Sequence, residues 1–139
     1  MVNIEFTRIW EDDYFFELEC KAYSNNISLK MNAYVDDKTI DELSNKIKQF
    51  INLKTKDFVW ETSKNGNDTT PNFIMKVFYR DNVGHLRIEI YGEIDDGASY
   101  DEHNCCFFID GIEAGQLERF GKRILYLKNQ GTGMKISII

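Results

Sequence analysis

Apolar residues recur at every second position in several stretches of the chain, and this period of two most constrains the fold. The clearest stretch spans residues 27–35, whose odd-numbered positions are all apolar: Ile27, Leu29, Met31, Ala33 and Val35. Successive side chains of a β-strand point to opposite faces, so this pattern predicts a strand with one apolar and one polar face. Asn25-Asn26 precedes it and predicts a hairpin, because asparagine tolerates the positive φ of a tight turn.

Strands of this kind are predicted along most of the chain, interrupted by two helical segments. The predicted strands begin at Ile4, cover 14–23 and 27–35, and resume at 56–62, 72–80, 85–94 and 105–110. The first helix follows Asp36-Asp37, which can cap its start. Its apolar stripe consists of Ile40, Leu43, Ile47, Phe50 and Ile51. The second helix spans about Glu113 to Lys128, with Leu117, Phe120, Ile124 and Leu127 on one side.

The predicted element order is βββ-α-ββββ-α, and the short connections between consecutive strands favour antiparallel pairing. We therefore expect an α+β fold: a single two-layer domain with one mainly antiparallel sheet of about six to seven strands and two helices on one face. The 139 residues, 42% of them hydrophobic, fit one domain over 1–139 that needs no disulfide or structural metal. Residues 130–139 are expected to form an edge strand or a flexible tail.

The sequence contains no motif that is typical of an enzyme, because GxSxG, P-loop, HExxH and CxxC patterns do not occur. We therefore expect no catalytic residues and no cofactor. Potential metal ligands crowd only in the run 101–106, Asp-Glu-His-Asn-Cys-Cys. A zinc site needs four convergent donors, usually from two separated pairs, so no metal site is predicted.

Charge is distributed unevenly along the chain, whose net charge is −6. Residues 88–118, here called the acidic segment, contain nine acidic residues and no Lys or Arg. Such a segment either keeps a protein soluble or steers a basic partner towards it. The negative charge argues against binding to nucleic acid or to an anionic membrane. A cytoplasmic protein with reduced thiols is expected, because the sequence shows no signal peptide, no long apolar run and three cysteines without a disulfide spacing.

The polar side of the predicted sheet carries many aromatic residues among charged ones. They are Phe15, Tyr23, Tyr34, Phe78, Tyr91 and Phe108. Rings in this setting are typical of protein–protein interfaces, although they could instead form cross-strand pairs that only stabilise the sheet. The residues predicted to bind a partner are Tyr34, Phe78, Tyr91, Phe108, Glu89, Glu93, Asp95 and Asp96.

Several runs of the sequence resemble small uncharacterised bacterial proteins of about this length. They are YFFELE at 14–19, ISLKMNAY at 27–34, LSNKI at 43–47, GHLRIE at 84–89 and LERFG at 117–121. The layout is similar to that of immunity proteins that accompany contact-delivered polymorphic toxins, including wall-associated toxins, and the resemblance covers roughly residues 5–128. It implies a non-enzymatic binding protein. Because the shared motifs are structural, the resemblance assigns no functional residues.

Together, these observations predict a non-enzymatic protein-binding module, most concretely an immunity-type inhibitor of a bacterial toxin domain. The partner would be a basic toxin domain whose approach the acidic segment accelerates. One alternative is a small-ligand or metal-binding module with a pocket between sheet and helices near Trp60 and His103. Another is a structural subunit that dimerises through its sheet. The sequence leaves the oligomeric state open.

Overall fold

The structure, a computed structural model, describes residues 1–63, 71–95, 102–129 and 131–139. Within these ranges the chain forms eight β-strands and three α-helices. The strands are β1 (Asn3–Glu11), β2 (Phe16–Tyr23), β3 (Ser28–Val35), β4 (Asp57–Glu61), β5 (Asn72–Tyr79), β6 (His85–Asp95), β7 (Glu102–Glu113) and β8 (Lys135–Ser137). The helices are α1 (Asp37–Ile51), α2 (Ala114–Arg123) and α3 (Tyr126–Asn129).

The strands belong to two antiparallel sheets of four strands each. Sheet 1 has the order β3-β2-β1-β8, and sheet 2 has the order β4-β5-β6-β7. The α+β class and the antiparallel pairing are thus confirmed. The expected single sheet of six to seven strands is wrong, because the described residues contain eight strands in two sheets. The two-layer description holds only in a coarse sense.

Chain connectivity explains why there are two sheets. Short turns join β1 to β2 and β2 to β3, and these strands pair with their neighbours in the chain. The 15 residues of α1 then rise about 22 Å along the helix axis, which carries the chain away from β3 before β4 begins. β4 therefore pairs with β5. An alternating pattern identifies a strand but not its partner, so the sequence alone predicted one sheet.

The apolar faces of both sheets pack into one core together with the helices. The ring of Phe6 on β1 lies with its centroid 5.7 Å from Trp60, 5.6 Å from Phe73 and 5.8 Å from Phe120. The sheets also meet at Gly92, where an added Cβ would lie 2.7 Å from Leu29 Cδ2. A side chain on the inner face of β6 at position 92 would therefore displace the Leu29 side chain.

Helix α1 begins as the sequence predicts and packs on α2 through a small residue. The Asp36 side chain accepts a hydrogen bond from the Thr39 backbone N–H at 2.8 Å, which caps the helix. Ser44 Oγ donates to the Gly121 carbonyl at 2.7 Å. A Cβ at Gly121 would lie 2.7 Å from Ile47 Cγ2. The Ile47 side chain of α1 therefore packs directly against the backbone of α2 at Gly121.

The end of the chain departs from the expected single helix over 113–128. Its first part is α2, Ile124 and Leu125 form a turn, and α3 follows as one short turn of helix. Residues 135–137 form β8 and pair with β1 at the edge of sheet 1. Arg8, buried on the inner face, donates to the Leu127 carbonyl and, at 3.1 Å, to that of Lys128.

Candidate functional site

The outer face of sheet 2, which points away from the core, gathers most of the residues predicted to bind a partner. Its side chains form three aligned rows across the four strands. The rows are Asp57-Phe78-Arg87-Asp110, Val59-Lys76-Glu89-Phe108 and Glu61-Ile74-Tyr91-Cys106. We call these twelve residues the sheet 2 face. Phe108 is 50% exposed and Val59 45%, whereas Phe78 and Tyr91 are half-buried.

The structure places the eight predicted residues in different settings. Phe78, Tyr91, Phe108 and Glu89 lie on the sheet 2 face, and Glu93 continues the same side of β6. Tyr34 lies on the outer face of sheet 1 instead. The two aspartates at the end of β6 complete the set: Asp95 is its last residue, and Asp96 lies outside the described residues. The single aromatic face expected from the sequence is therefore divided between two sheets.

Ion pairs and cation–ring contacts hold the first two rows in place. Arg87 binds Asp110 through two hydrogen bonds, from Nε at 2.8 Å and from Nη2 at 2.9 Å. The same guanidinium lies 5.0 Å from the centroid of the Phe108 ring, and Lys76 Nζ lies 6.0 Å from that of Phe78. These contacts restrict the rotamers of both rings before any partner arrives.

The acidic segment does not form a uniformly negative surface on sheet 2. Lys76 on β5, Arg80 just after β5 and Arg87 near the start of β6 lie among its carboxylates. The hydrogen bond from Arg87 lowers the pKa of Asp110 below its ordinary value, and Arg80 Nε also lies 3.8 Å from that carboxylate. In a sheet, the neighbours of an acidic residue on adjacent strands come from other parts of the chain. Consecutive acidic residues in the sequence therefore need not form a continuous negative surface.

The cysteine on this face has an acidic neighbour rather than a base. Cys106 Sγ lies 3.8 Å from Glu89 Oε1. Desolvation, and then the negative charge of Glu89, raise the pKa of this thiol. The arrangement disfavours the thiolate and therefore does not suit a nucleophile.

A second group of exposed rings lies at the β1–β2 turn of sheet 1, and the sequence analysis identified it only in part. Trp10 is 51% exposed, Tyr14 81%, Phe15 50% and Tyr34 53%. Because Ile4, Phe6 and Arg8 are buried, regular alternation along β1 would also point the Trp10 side chain inwards. A β-bulge between Arg8 and Trp10 shifts the register, so that Trp10 pairs with the outward-facing Glu17. The alternation pattern carries no signal for this bulge.

The positions of the described side chains give little support to a metal-binding or small-ligand-binding role. Among the side chains that the structure describes, no three His, Cys, Asp or Glu lie close enough to hold a metal ion. In the run 101–106, side chains are described only from Asn104 onward. Trp60, expected beside a pocket, is fully buried and donates from Nε1 to the Thr39 carbonyl at 2.9 Å. A groove of about 510 Å³ lies elsewhere, between α1 and α2.

Neither the helices nor the comparisons with known proteins add a function. Of the helices in the described part of the chain, none combines the length and apolar character needed to cross a bilayer. Comparisons with protein-family models, with curated proteins and with solved structures find no match.

Proposed function

We propose that this protein is a non-enzymatic protein-binding module that docks a partner on the sheet 2 face. Its most concrete form is an immunity-type inhibitor that binds a bacterial toxin domain in the cytoplasm. The observation that carries the proposal is the set of aromatic rings on the sheet 2 face, interleaved with paired charges and still accessible at Phe108. The resemblance to immunity proteins, noted from the sequence, agrees with this role.

The physical reason lies in what such rings contribute to an interface. Aromatic side chains bury a large area with few rotatable bonds, and they dominate the energetics of many protein interfaces. Here Arg87 and Lys76 already restrict the rings of Phe108 and Phe78, so little conformational freedom is lost on binding. A partner that covered the rows would also desolvate the Arg87–Asp110 pair, which is already fully formed.

Electrostatic attraction forms the second part of the proposal. Glu89, Glu93, Asp95 and Asp96 follow one another along the end of β6 and the residues after it. A basic partner would be drawn to this end of the sheet, which raises the association rate more than the final affinity. Arg80 and Arg87 lie towards the other end, and Lys76 lies beside Glu89 in the middle row, so the charge pattern also defines an orientation for the partner.

A calorimetric titration with a candidate toxin domain, one encoded by a gene adjacent to that of this protein, tests the proposal. Phe108→Ala and Phe78→Ala should each weaken binding about tenfold or more, as removal of a central interface ring does. Tyr126→Ala is the matched control, because Tyr126 lies on α3 and is 57% exposed. Equal effects of all three variants, or no binding by the unmodified protein, would overturn the proposal.

The electrostatic part has its own readout. Neutralising Glu89, Glu93, Asp95 and Asp96 together should slow association at low salt and leave dissociation almost unchanged. An association rate that is insensitive to these four substitutions would remove steering from the account while leaving docking on the sheet 2 face intact.

A further inference from the structure

We propose that the exposed rings at the β1–β2 turn form a second binding surface, which recognises a cationic segment of a partner protein through its Arg and Lys side chains. The surface consists of Trp10, Tyr14, Phe15 and Tyr34, here called the hairpin cluster. It lies on sheet 1, whereas the proposed docking face is on sheet 2. This inference therefore goes beyond the proposed function and does not depend on it.

The hairpin cluster brings together rings that are unusually accessible for their size. All four are at least 50% exposed, and Tyr14 reaches 81%. Several large exposed aromatic side chains in one region of a protein surface often mark an interaction site. The β-bulge described above brings Trp10 into this group, since an uninterrupted strand would turn its indole towards the core.

A carboxylate lies between two of the rings. Trp10 pairs with Glu17 across β1 and β2, and Glu17 pairs with Tyr34 across β2 and β3. The three side chains therefore form one row on the outer face, with the acid in the middle. The Tyr34 hydroxyl hydrogen-bonds to Glu17, which raises the pKa of the phenol. A guanidinium or ammonium group can meet a ring face and a carboxylate together in such a row.

The turn that carries the other two rings is held by its own hydrogen bonds. Asp12 Oδ1 accepts from the backbone N–H groups of Phe15 at 2.7 Å and Tyr14 at 2.8 Å. The Asp12 N–H donates to the Phe15 carbonyl at 2.9 Å. The two bonds to Oδ1 lower the pKa of Asp12. The turn therefore presents its rings in a defined backbone geometry.

The charge around the hairpin cluster selects the occupant. Glu17 lies between two of its rings, and Glu11, Asp12, Asp13 and Asp37 lie close to its residues along the chain. Among the basic residues of this part of the chain, Arg8 is buried and bound to Glu11, and Lys38 follows on α1. Lys21 and Lys30, on the same outer face of sheet 1, form ion pairs with Glu19. The cluster thus combines an apolar surface with excess negative charge, which complements a basic peptide and repels anionic lipid or nucleic acid.

Trp10 fluorescence gives a direct test, because Trp60, the second tryptophan, is fully buried. The probe is a synthetic peptide of alternating Arg and Gly, titrated into the full chain at low salt. We expect a saturable change in the exposed-tryptophan emission. Glu17→Gln and Tyr34→Ala should each raise the dissociation constant about fivefold, as loss of a cation–ring or charged contact does.

Matched controls separate this site from general charge attraction. Glu118→Gln removes the same charge from the exposed face of α2, and Tyr126→Ala removes an equally exposed ring from α3. Neither should change the dissociation constant of the peptide, and neither should Phe108→Ala on the sheet 2 face. The proposal would be overturned if Glu118→Gln weakened peptide binding as much as Glu17→Gln, or if a Glu-Gly peptide bound with the same affinity. It would also be overturned if zwitterionic vesicles alone changed the emission, or if the Arg-Gly peptide gave no saturable signal.

Discussion

The three cysteines differ in how far their sulfur atoms are removed from water. Cys20 is fully buried in the core, and burial strongly raises the pKa of its thiol. Cys106 is exposed, although desolvation and Glu89 raise its pKa as well. Because alkylating reagents react with the thiolate, we expect iodoacetamide to modify Cys106 in the folded protein and Cys20 only after unfolding.

Mass spectrometry of peptides after a timed reaction measures these rates. Denaturant provides the control, since both thiols should then react at comparable rates. If Cys20 reacted as fast as Cys106 without denaturant, its place in the core would be contradicted.

The Arg87–Asp110 pair predicts a pH dependence of stability. Arg87 lowers the pKa of Asp110 in the folded state, so this carboxylate stabilises the fold above its ordinary pKa of 3.8. That contribution is lost as the pH falls through the lower, folded-state value. Asp110→Asn should therefore destabilise the protein at neutral pH by less than about 1 kcal/mol, because the pair is partly exposed. The difference from the unmodified protein should shrink below about pH 4.

Urea denaturation at neutral and at acidic pH checks this expectation. Asp57→Asn is the matched control, because it removes the same charge from the same row of the sheet 2 face. An equal loss of stability in both variants at neutral pH would show that net charge, and not the Arg87 contact, explains the effect.

Single residues also show where sequence reasoning succeeds and fails. Leu29, Met31, Ala33 and Val35 are buried as their alternation predicts, because a regular strand keeps its parity. Ile27, expected to face inwards, is 49% exposed because it precedes β3 and lies in the turn.

At the scale of elements, the contact between α1 and α2 depends on the missing side chain of Gly121. An added Cβ would lie 2.7 Å from Ile47 Cγ2 and 3.1 Å from Ile47 Cβ. A β-branched residue in a helix has one preferred rotamer, so Ile47 cannot easily give way. Gly121→Ala should therefore destabilise the fold by about 1–3 kcal/mol despite the better helix propensity of alanine.

Gly115→Ala is the control for this prediction. Gly115 is exposed in the same helix, and its added Cβ would meet only Arg119 Nη1 at 3.6 Å. We expect this substitution to be neutral or to stabilise by up to about 1 kcal/mol, measured by urea denaturation. If Gly121→Ala behaved like Gly115→Ala, the close packing of the two helices would be contradicted.

Element boundaries were predictable where local chemistry sets them. Asp36 caps α1 as expected, because the Asp-Asp pair precedes an apolar stripe of helical period. The expected helix over 113–128 is broken at Ile124 and Leu125. The break could not be predicted, because the apolar periodicity of the sequence continues across the turn.

At the scale of the whole molecule, the pairing of segments that are distant in sequence determines which side chains lie together on the surface. The sequence predicted which residues face outwards in β5, β6 and β7, but it could not show that Tyr34 belongs to a different sheet. The same holds for charge. The acidic segment contains no Lys or Arg. Arg87, the residue just before it, nevertheless binds Asp110 within it. Neither fact is encoded in local periodicity.

The shared core links the two outer faces. Because Phe6 of sheet 1 packs against Trp60 and Phe73 of sheet 2, neither sheet can separate without exposing large aromatic side chains. The core therefore holds both faces on a rigid support, which favours binding without rearrangement of the backbone.

The rate at which iodoacetamide modifies Cys106 tests the central claim most directly, because this thiol lies in the third row of the sheet 2 face. The reaction is followed in a Cys105→Ala variant, alone and with a saturating amount of the proposed protein partner. We predict that the partner slows modification about tenfold or more, since a partner that covers the sheet 2 face excludes solvent from its rows. An unchanged rate in a complex whose formation calorimetry has established would contradict docking on the sheet 2 face.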